Sequence, residues 1–120
     1  MTWIAAAAIV GVALLHVWFL VLEMFLWQKP GTLKTFGTTP DFAGASATLA
    51  ANQGLYNGFL AAGLLWSLTA YGLIGGRPVI SFFLGCVIVA GIFGAATVNR
   101  RIAIVQALPG AVALALLWIA

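Results

Sequence analysis

Four long apolar stretches divide this chain, and they constrain its fold more than any other feature. They cover residues 3–27, 45–72, 79–98 and 102–120. A helix that crosses a lipid bilayer needs about 20 consecutive apolar residues, and each stretch has a comparable length. The link between the last two stretches is so short that their helices must be antiparallel neighbours. We predict an all-α membrane protein whose single domain is an antiparallel bundle of four transmembrane helices.

The small number of charged residues indicates that most of the protein surface faces lipid. Hydrophobic residues make up 64% of the chain and charged residues 6%, whereas a soluble domain has about 25% charged residues. So few charges cannot cover a surface that faces water. The first stretch has no lysine or arginine before it and is longer than the roughly 7–15 apolar residues of a secretory signal. We therefore expect it to be a retained helix.

The longest link, residues 28–44, contains a helix-start pattern. Thr39 can cap a helix, Pro40 fits its first position, and Asp41 suits the positive end of the helix dipole. The second helix is therefore expected to begin near Pro40 and to enter the membrane a turn or two later. The next link, residues 75–78, reads Gly-Gly-Arg-Pro and predicts a tight turn.

Basic residues predict the orientation. The first and third links carry Lys29, Lys34, Arg100 and Arg101, whereas the second carries only Arg77. Because positive charge favours the cytoplasmic side, we expect the first and third links in the cytoplasm and both termini outside. No basic stripe with interleaved aromatic residues is present, so a nucleic-acid partner is not expected.

Two ionisable residues, His16 and Glu23, lie within the first apolar stretch. Such residues are costly in a membrane and are functional candidates by default. They are seven residues apart, so they share one helix face about 10 Å apart along the axis. Trp27 lies one turn beyond Glu23 on that face.

The second stretch supplies hydrogen-bonding side chains. Four occur within six residues: Asn52, Gln53, Tyr56 and Asn57. Gly54 and Gly58 form a small-xxx-small pair that allows another helix to approach closely. Depths along the helices place Glu23 level with Asn52, Gln53 and Gln106, and His16 level with Tyr56 and Asn57. The pattern predicts a polar pocket in the cytoplasmic half of the bundle.

Each of these residues also has a structural interpretation. The amides could tie helices together, Tyr56 could be a packing residue, and His16 could be a neutral side chain bonded to a neighbouring helix. Glu23 could pair with Lys29 or an arginine, and Trp27 could anchor the chain at the membrane interface. One histidine, one cysteine and one intramembrane glutamate form a poor metal site, so no metal is predicted. Cys86 is interpreted as a packing residue, and the sequence leaves the cofactor unknown.

Several motifs resemble a known family. They are His16, residues 22–27 (LEMFLW), 36–42 (FGTTPDF) and 50–63 (AANQGLYNGFLAAG), and Gln106 followed by Pro109. Together they resemble the bacterial membrane proteins of domain-of-unknown-function 1304. The resemblance implies four spans and the bacterial cytoplasmic (inner) membrane, and it supplies no activity.

Three functions fit these residues. The first is binding or isomerase-like acid/base conversion of a small lipophilic molecule, by analogy with the site chemistry of sterol-isomerase-type membrane proteins. Its catalytic candidates are Glu23 as acid, His16 as base and Tyr56; its binding candidates are Asn52, Gln53, Asn57, Trp27 and Gln106. The second is a proton-coupled exporter, since small multidrug-resistance transporters also have four spans and a carboxylate on the first, although no matching motif surrounds Glu23. The third is a structural or accessory subunit.

Membrane lipid and a small lipophilic ligand are the partners expected. The glycine pairs at 54 and 58 and at 91 and 94 also leave room for a homo-oligomer.

Overall fold

The computed structural model describes residues 1–120 and contains helices without any strand. The helices are α1 (Thr2–Met24), α2 (Pro30–Phe36), α3 (Pro40–Gly75), α4 (Arg77–Thr97) and α5 (Leu108–Ile119), with a π-helical segment (Ala103–Ala107) leading into α5. The predicted all-α fold is confirmed. Three helices, α1, α3 and α4, are long and apolar enough to cross a membrane, and the apolar helical stretch Ala103–Ile119 is shorter.

The helix boundaries differ from the predicted ones mainly in the first link. Helix α1 ends at Met24 and not at residue 27, and the short helix α2 occupies part of the predicted loop. Pro30 begins α2, and Gly37 ends it with a left-handed backbone (φ 64°, ψ 38°) whose N–H bonds the carbonyls of Leu33 and Lys34. Proline at the start and glycine just past the end are standard helix-boundary signals.

The predicted start of α3 is confirmed. Pro40 is its first residue, and the Phe42 N–H donates to Thr39 Oγ1 over 3.2 Å. At the other end, Gly72 has a positive φ of 74°, which breaks the helical path three residues before α3 ends. A Cβ at Gly76 would lie 2.6 Å from the Gly72 carbonyl oxygen. These glycines therefore permit the predicted tight turn into α4.

The chain forms two compact units. The larger unit comprises residues 1–14 and 60–120, and the smaller unit comprises residues 15–59. The core of the larger unit consists of Ile9, Val12, Ala13, Ala61, Leu64, Ile80, Leu84, Val87, Ala113 and Leu117. The arrangement of the whole chain as one four-helix bundle stays a prediction.

Close packing within the larger unit depends on the π-helical segment. A Cβ at Gly91 on α4 would lie 2.6 Å from the backbone nitrogen of Ala107, so only glycine lets this segment come so near. Pro109 lies two residues beyond the segment. It has no N–H to bond Val105, and its ring would crowd that carbonyl in a regular α-helix. A wider π turn at residues 103–107 is a physical response to this proline.

Arg77 joins the start of α4 to the end of α5. Its Nε donates to the Leu117 carbonyl over 3.3 Å, and its Nη2 donates to the Ala120 main-chain oxygen. The guanidinium carbon also lies 5.3 Å from the ring centre of Trp118, whose Nε1 donates to Ser81 Oγ over 2.8 Å. A cation at the negative end of a helix is favourable, so Arg77 has a structural function besides any effect on orientation.

Candidate functional site

The centre of the candidate site is a carboxyl–amide contact in the smaller unit. Glu23 lies in the last turn of α1, and only 4% of its surface is exposed. Asn57 on α3 donates a hydrogen bond from Nδ2 to Glu23 Oε1 over 2.5 Å. Two residues that are 34 positions apart in sequence are thus joined at the level where α1 ends.

Two glycines let α3 approach α1 at this point. A Cβ at Gly54 would lie 2.8 Å from Met24 Cγ and 3.0 Å from Glu23 Cβ, and one at Gly58 would lie 2.6 Å from Leu20 Cδ1. The helices are antiparallel here, with Met24 opposite Gly54 and Leu20 opposite Gly58. The close contact of the backbones is what brings the short Asn57 side chain within reach of Glu23.

The surroundings of Glu23 contain no paired cation. Asn57 is the side-chain hydrogen-bond partner identified for Glu23, and no lysine or arginine pairs with it. The last turn of α1 has no basic residue, although this end of a helix dipole disfavours negative charge. The interpretation in which Lys29 or an arginine holds Glu23 is therefore wrong.

Trp27 has contacts of its own beyond the end of α1. Its Nε1 donates to Ser46 Oγ on α3 over 3.2 Å, and Ser46 Oγ in turn donates to the Phe42 carbonyl over 2.7 Å. The Trp27 ring packs edge-on against Phe36 at the end of α2, with 5.0 Å between ring centres. Trp27 thus connects α2 to α3, and a direct binding role for it stays a prediction.

The depth predicted for Asn57 is wrong. Asn57 was expected to lie level with His16, and Glu23 level with Asn52 and Gln53. The structure places Asn57 at Glu23 instead. The reason is that α1 ends at Met24, so residues 25–27 are not helical and the rise of about 1.5 Å per residue does not apply between Trp27 and Glu23.

His16 is completely buried, and its ring packs edge-on against Phe19 with 5.2 Å between centres. It lies one helical turn before Leu20, the residue opposite Gly58. His16 is therefore displaced along α1 from the Glu23–Asn57 contact. Its assignment as a base stays a prediction.

Three predicted site residues are exposed and form no hydrogen bond with Glu23. Asn52, Gln53 and Tyr56 are all exposed on α3. Tyr56 is 57% exposed and packs edge-on against Phe59, with 5.6 Å between ring centres. Of the four polar side chains in this segment, only that of Asn57 is half-buried.

Gln106 belongs to the larger unit, where it is half-buried within the π-helical segment. That Gln106 lies beside Glu23 stays a prediction.

Sequence reasoning missed Ser46. Its hydroxyl accepts the hydrogen bond from Trp27, and it lies among the small residues at the start of α3. The described chain has no group of three or more His, Cys, Asp or Glu side chains that could hold a metal ion.

One known protein family matches nearly the whole chain. The model of the family described as "protein of unknown function (DUF1304)" matches residues 5–118. The chain belongs to this family. The matched region of this DUF1304 chain includes all eight candidate site residues, from His16 to Gln106. No curated protein and no solved structure matches it.

Within this DUF1304 chain, the geometry selects two of the eight candidates as a connected pair. Glu23 and Asn57 form a buried carboxyl–amide contact between two helices. A carboxyl group has two oxygens and about four lone-pair sites, and Asn57 occupies one of them. The pair can therefore bind a further polar group or exchange a proton with it.

Proposed function

We propose that this protein is a multi-pass membrane protein that binds a small lipophilic molecule at Glu23. The observation that supports the proposal is that Glu23 is buried, contacts Asn57 and pairs with no lysine or arginine. A carboxyl group removed from water is costly unless its polar atoms are bonded. A ligand that offers a hydroxyl, amine or carbonyl group would add a second hydrogen bond to the carboxyl group beside the one from Asn57.

The ligand we propose has an apolar body with one polar group. The apolar body suits the surrounding helices, and the polar group would contact Glu23 beside the Asn57 amide. Such a site could also transfer a proton, with Glu23 as the acid and the buried His16 as the base. Tyr56 is not needed for this chemistry, because its side chain lies on the outer face of α3.

The proposed site lies within the membrane. Helices α1, α3 and α4 are long and apolar enough to be three of the protein's spans. We propose that the 17-residue stretch Ala103–Ile119 is the fourth, since spans of about 17–25 residues occur. This would give the antiparallel four-helix bundle that the apolar pattern predicts.

The membrane we propose is the bacterial cytoplasmic membrane, with the first and third links in the cytoplasm. Lys29, Lys34, Arg100 and Arg101 are all exposed and would face that side. Orientation can be tested with single-cysteine variants in a Cys86→Ser background. A membrane-impermeant maleimide should label Thr2→Cys but not Lys34→Cys in intact spheroplasts; the reverse pattern would contradict the orientation.

A structural role is the second candidate, and the contact of Gly54 and Gly58 with α1 favours it. In that case the Glu23–Asn57 hydrogen bond only holds α1 against α3. The two functions differ in the result for Glu23→Gln, since glutamine keeps the shape and can still accept a hydrogen bond from Asn57. A binding site loses its ligand in this variant while the fold persists, whereas a purely structural contact has no ligand to lose.

Mass spectrometry of gently solubilised protein tests the proposal. The wild type should carry a discrete small molecule, which extraction then identifies. Finding only bulk phospholipid would contradict a dedicated binding site and would favour the structural function.

A further inference from the structure

We propose that one exposed face of α3 in the smaller unit binds the same face of a second copy of this chain. This face consists of residues 42, 45, 49, 52, 56 and 59. Asn52 is central to this inference. Its side chain is exposed, and no hydrogen bond joins it to another residue of the chain. In water such an amide needs no protein partner, so the inference rests on the membrane location proposed above.

Asn52 would lie well inside the membrane. Ser46, six residues earlier on α3, bonds the Trp27 indole, and indoles concentrate at membrane interfaces. Asn52 is about 9 Å further along the helix. At that depth there is little water to satisfy an amide, and an unsatisfied polar group in hydrocarbon costs several kcal/mol.

Exposed residues around Asn52 follow the spacing of a helix–helix seam. Positions 42, 45, 49, 52, 56 and 59 alternate in steps of three and four, and all six are exposed. Leu49 is 74% exposed and Tyr56 57% exposed. This a/d spacing is the pattern by which two parallel helices interlock. The seam lies on the side of α3 opposite Gly54 and Gly58, so the contact with α1 leaves it accessible.

The chemistry of Asn52 indicates a second copy as the occupant. An amide side chain both donates and accepts hydrogen bonds, so two identical asparagines can satisfy each other. A two-fold axis along the membrane normal would place Asn52 beside Asn52 of the partner subunit, as in any isologous interface. A single asparagine among the aromatic and aliphatic residues of a seam is also a known device for fixing the register and number of helices.

Cysteine cross-linking in native membranes tests this inference. In a Cys86→Ser background, Leu49→Cys lies on the seam. Leu55→Cys is the matched control, since it is also exposed but lies about 120° away round the helix. Mild oxidation should yield a disulfide-linked dimer for Leu49→Cys and little for Leu55→Cys. Adding Asn52→Leu should lower the yield at Leu49→Cys at least about threefold, the change expected for one interhelical hydrogen bond in a membrane.

Equal yields at the two cysteines, or a yield that Asn52→Leu leaves unchanged, would overturn the proposal. The Asn52 side chain has no intrachain hydrogen bond, so Asn52→Leu should still fold. Extraction of the same membranes with alkaline carbonate distinguishes a failure of the dimer proposal from a failure of the proposed membrane location. A chain that stays in the membrane without cross-linking would overturn only the dimer, whereas a chain that is released would overturn both the dimer and the membrane location.

Discussion

Asn57 on α3 donates a 2.5 Å hydrogen bond to Glu23 at the end of α1. This contact joins the single glutamate of the chain to an amide on the Asn-Gln-Gly-Leu-Tyr-Asn run of α3. It has two separable consequences. It holds two helices together, and it keeps a carboxyl group buried without a cation.

The first prediction concerns the strength of this contact. Asn57→Leu should lower the free energy of unfolding by about 1–3 kcal/mol, because Glu23 would remain buried without its donor. Gln53→Leu is the matched control: it also replaces an amide on α3, but an exposed one. Unfolding in mixed detergent micelles would measure both. Equal effects of the two substitutions would contradict a special role for Asn57.

The second prediction concerns the approach of α3 to α1. Gly54→Ala should destabilise the protein by about 1–3 kcal/mol, because its Cβ would lie within 3.0 Å of Met24 and Glu23 side-chain atoms and 3.3 Å from the Leu20 carbonyl. Gly44→Ala meets only Gln28 Oε1 at 3.6 Å. It should be neutral or stabilising by up to about 1 kcal/mol, since alanine favours a helix. The same unfolding assay measures the difference, and a stabilising Gly54→Ala would refute the close contact.

The third prediction concerns Arg77. Arg77→Gln should destabilise the larger unit by about 1.5–3 kcal/mol, because it removes the charge that bonds the Leu117 carbonyl and lies over Trp118. Arg100→Gln removes the same charge from an exposed link and should have an effect below about 0.5 kcal/mol. Thermal unfolding in detergent compares them. If both variants melt alike, Arg77 acts only as an orientation signal.

The fourth prediction concerns the π-helical segment. Gly91→Ala should destabilise by about 1–3 kcal/mol, because its Cβ would collide with the backbone of Ala107, which cannot rotate away as a side chain can. Gly85→Ala on the same helix has nothing within 4 Å of its added Cβ and should be tolerated. Unchanged stability of Gly91→Ala would show that the segment does not pack on α4 in this way.

Much of the helical pattern could be predicted from the sequence, because apolar length and capping residues are local signals. Thr39 and Pro40 identified the start of α3, and the glycine-rich turn identified its end. Helix α2 was missed although Pro30 and Gly37 bracket it. Its seven residues are too few to show an apolar period, and they lie within a polar link.

The candidate site was only partly predictable. Glu23 stood out because a carboxylate is rare in an apolar helix, but its partner depends on where α1 ends and on how closely glycine lets α3 approach. Neither the exposure of Asn52 nor that of Tyr56 could be inferred from periodicity, since α3 is apolar on several faces. The π turn was signalled by Pro109, although a proline alone does not distinguish a kink from a π turn.

Ligand occupancy measured by native mass spectrometry tests the central claim most directly. Glu23→Gln and Asp41→Asn change the only two acidic residues of the chain by the same chemistry, but Asp41 is exposed at the start of α3. A discrete small molecule should accompany the wild type and Asp41→Asn, and its occupancy should fall about fivefold in a folded Glu23→Gln, as expected for the loss of one hydrogen bond to the carboxyl group. Equal occupancy in all three proteins, or only bulk phospholipid in each, would contradict a binding site at Glu23.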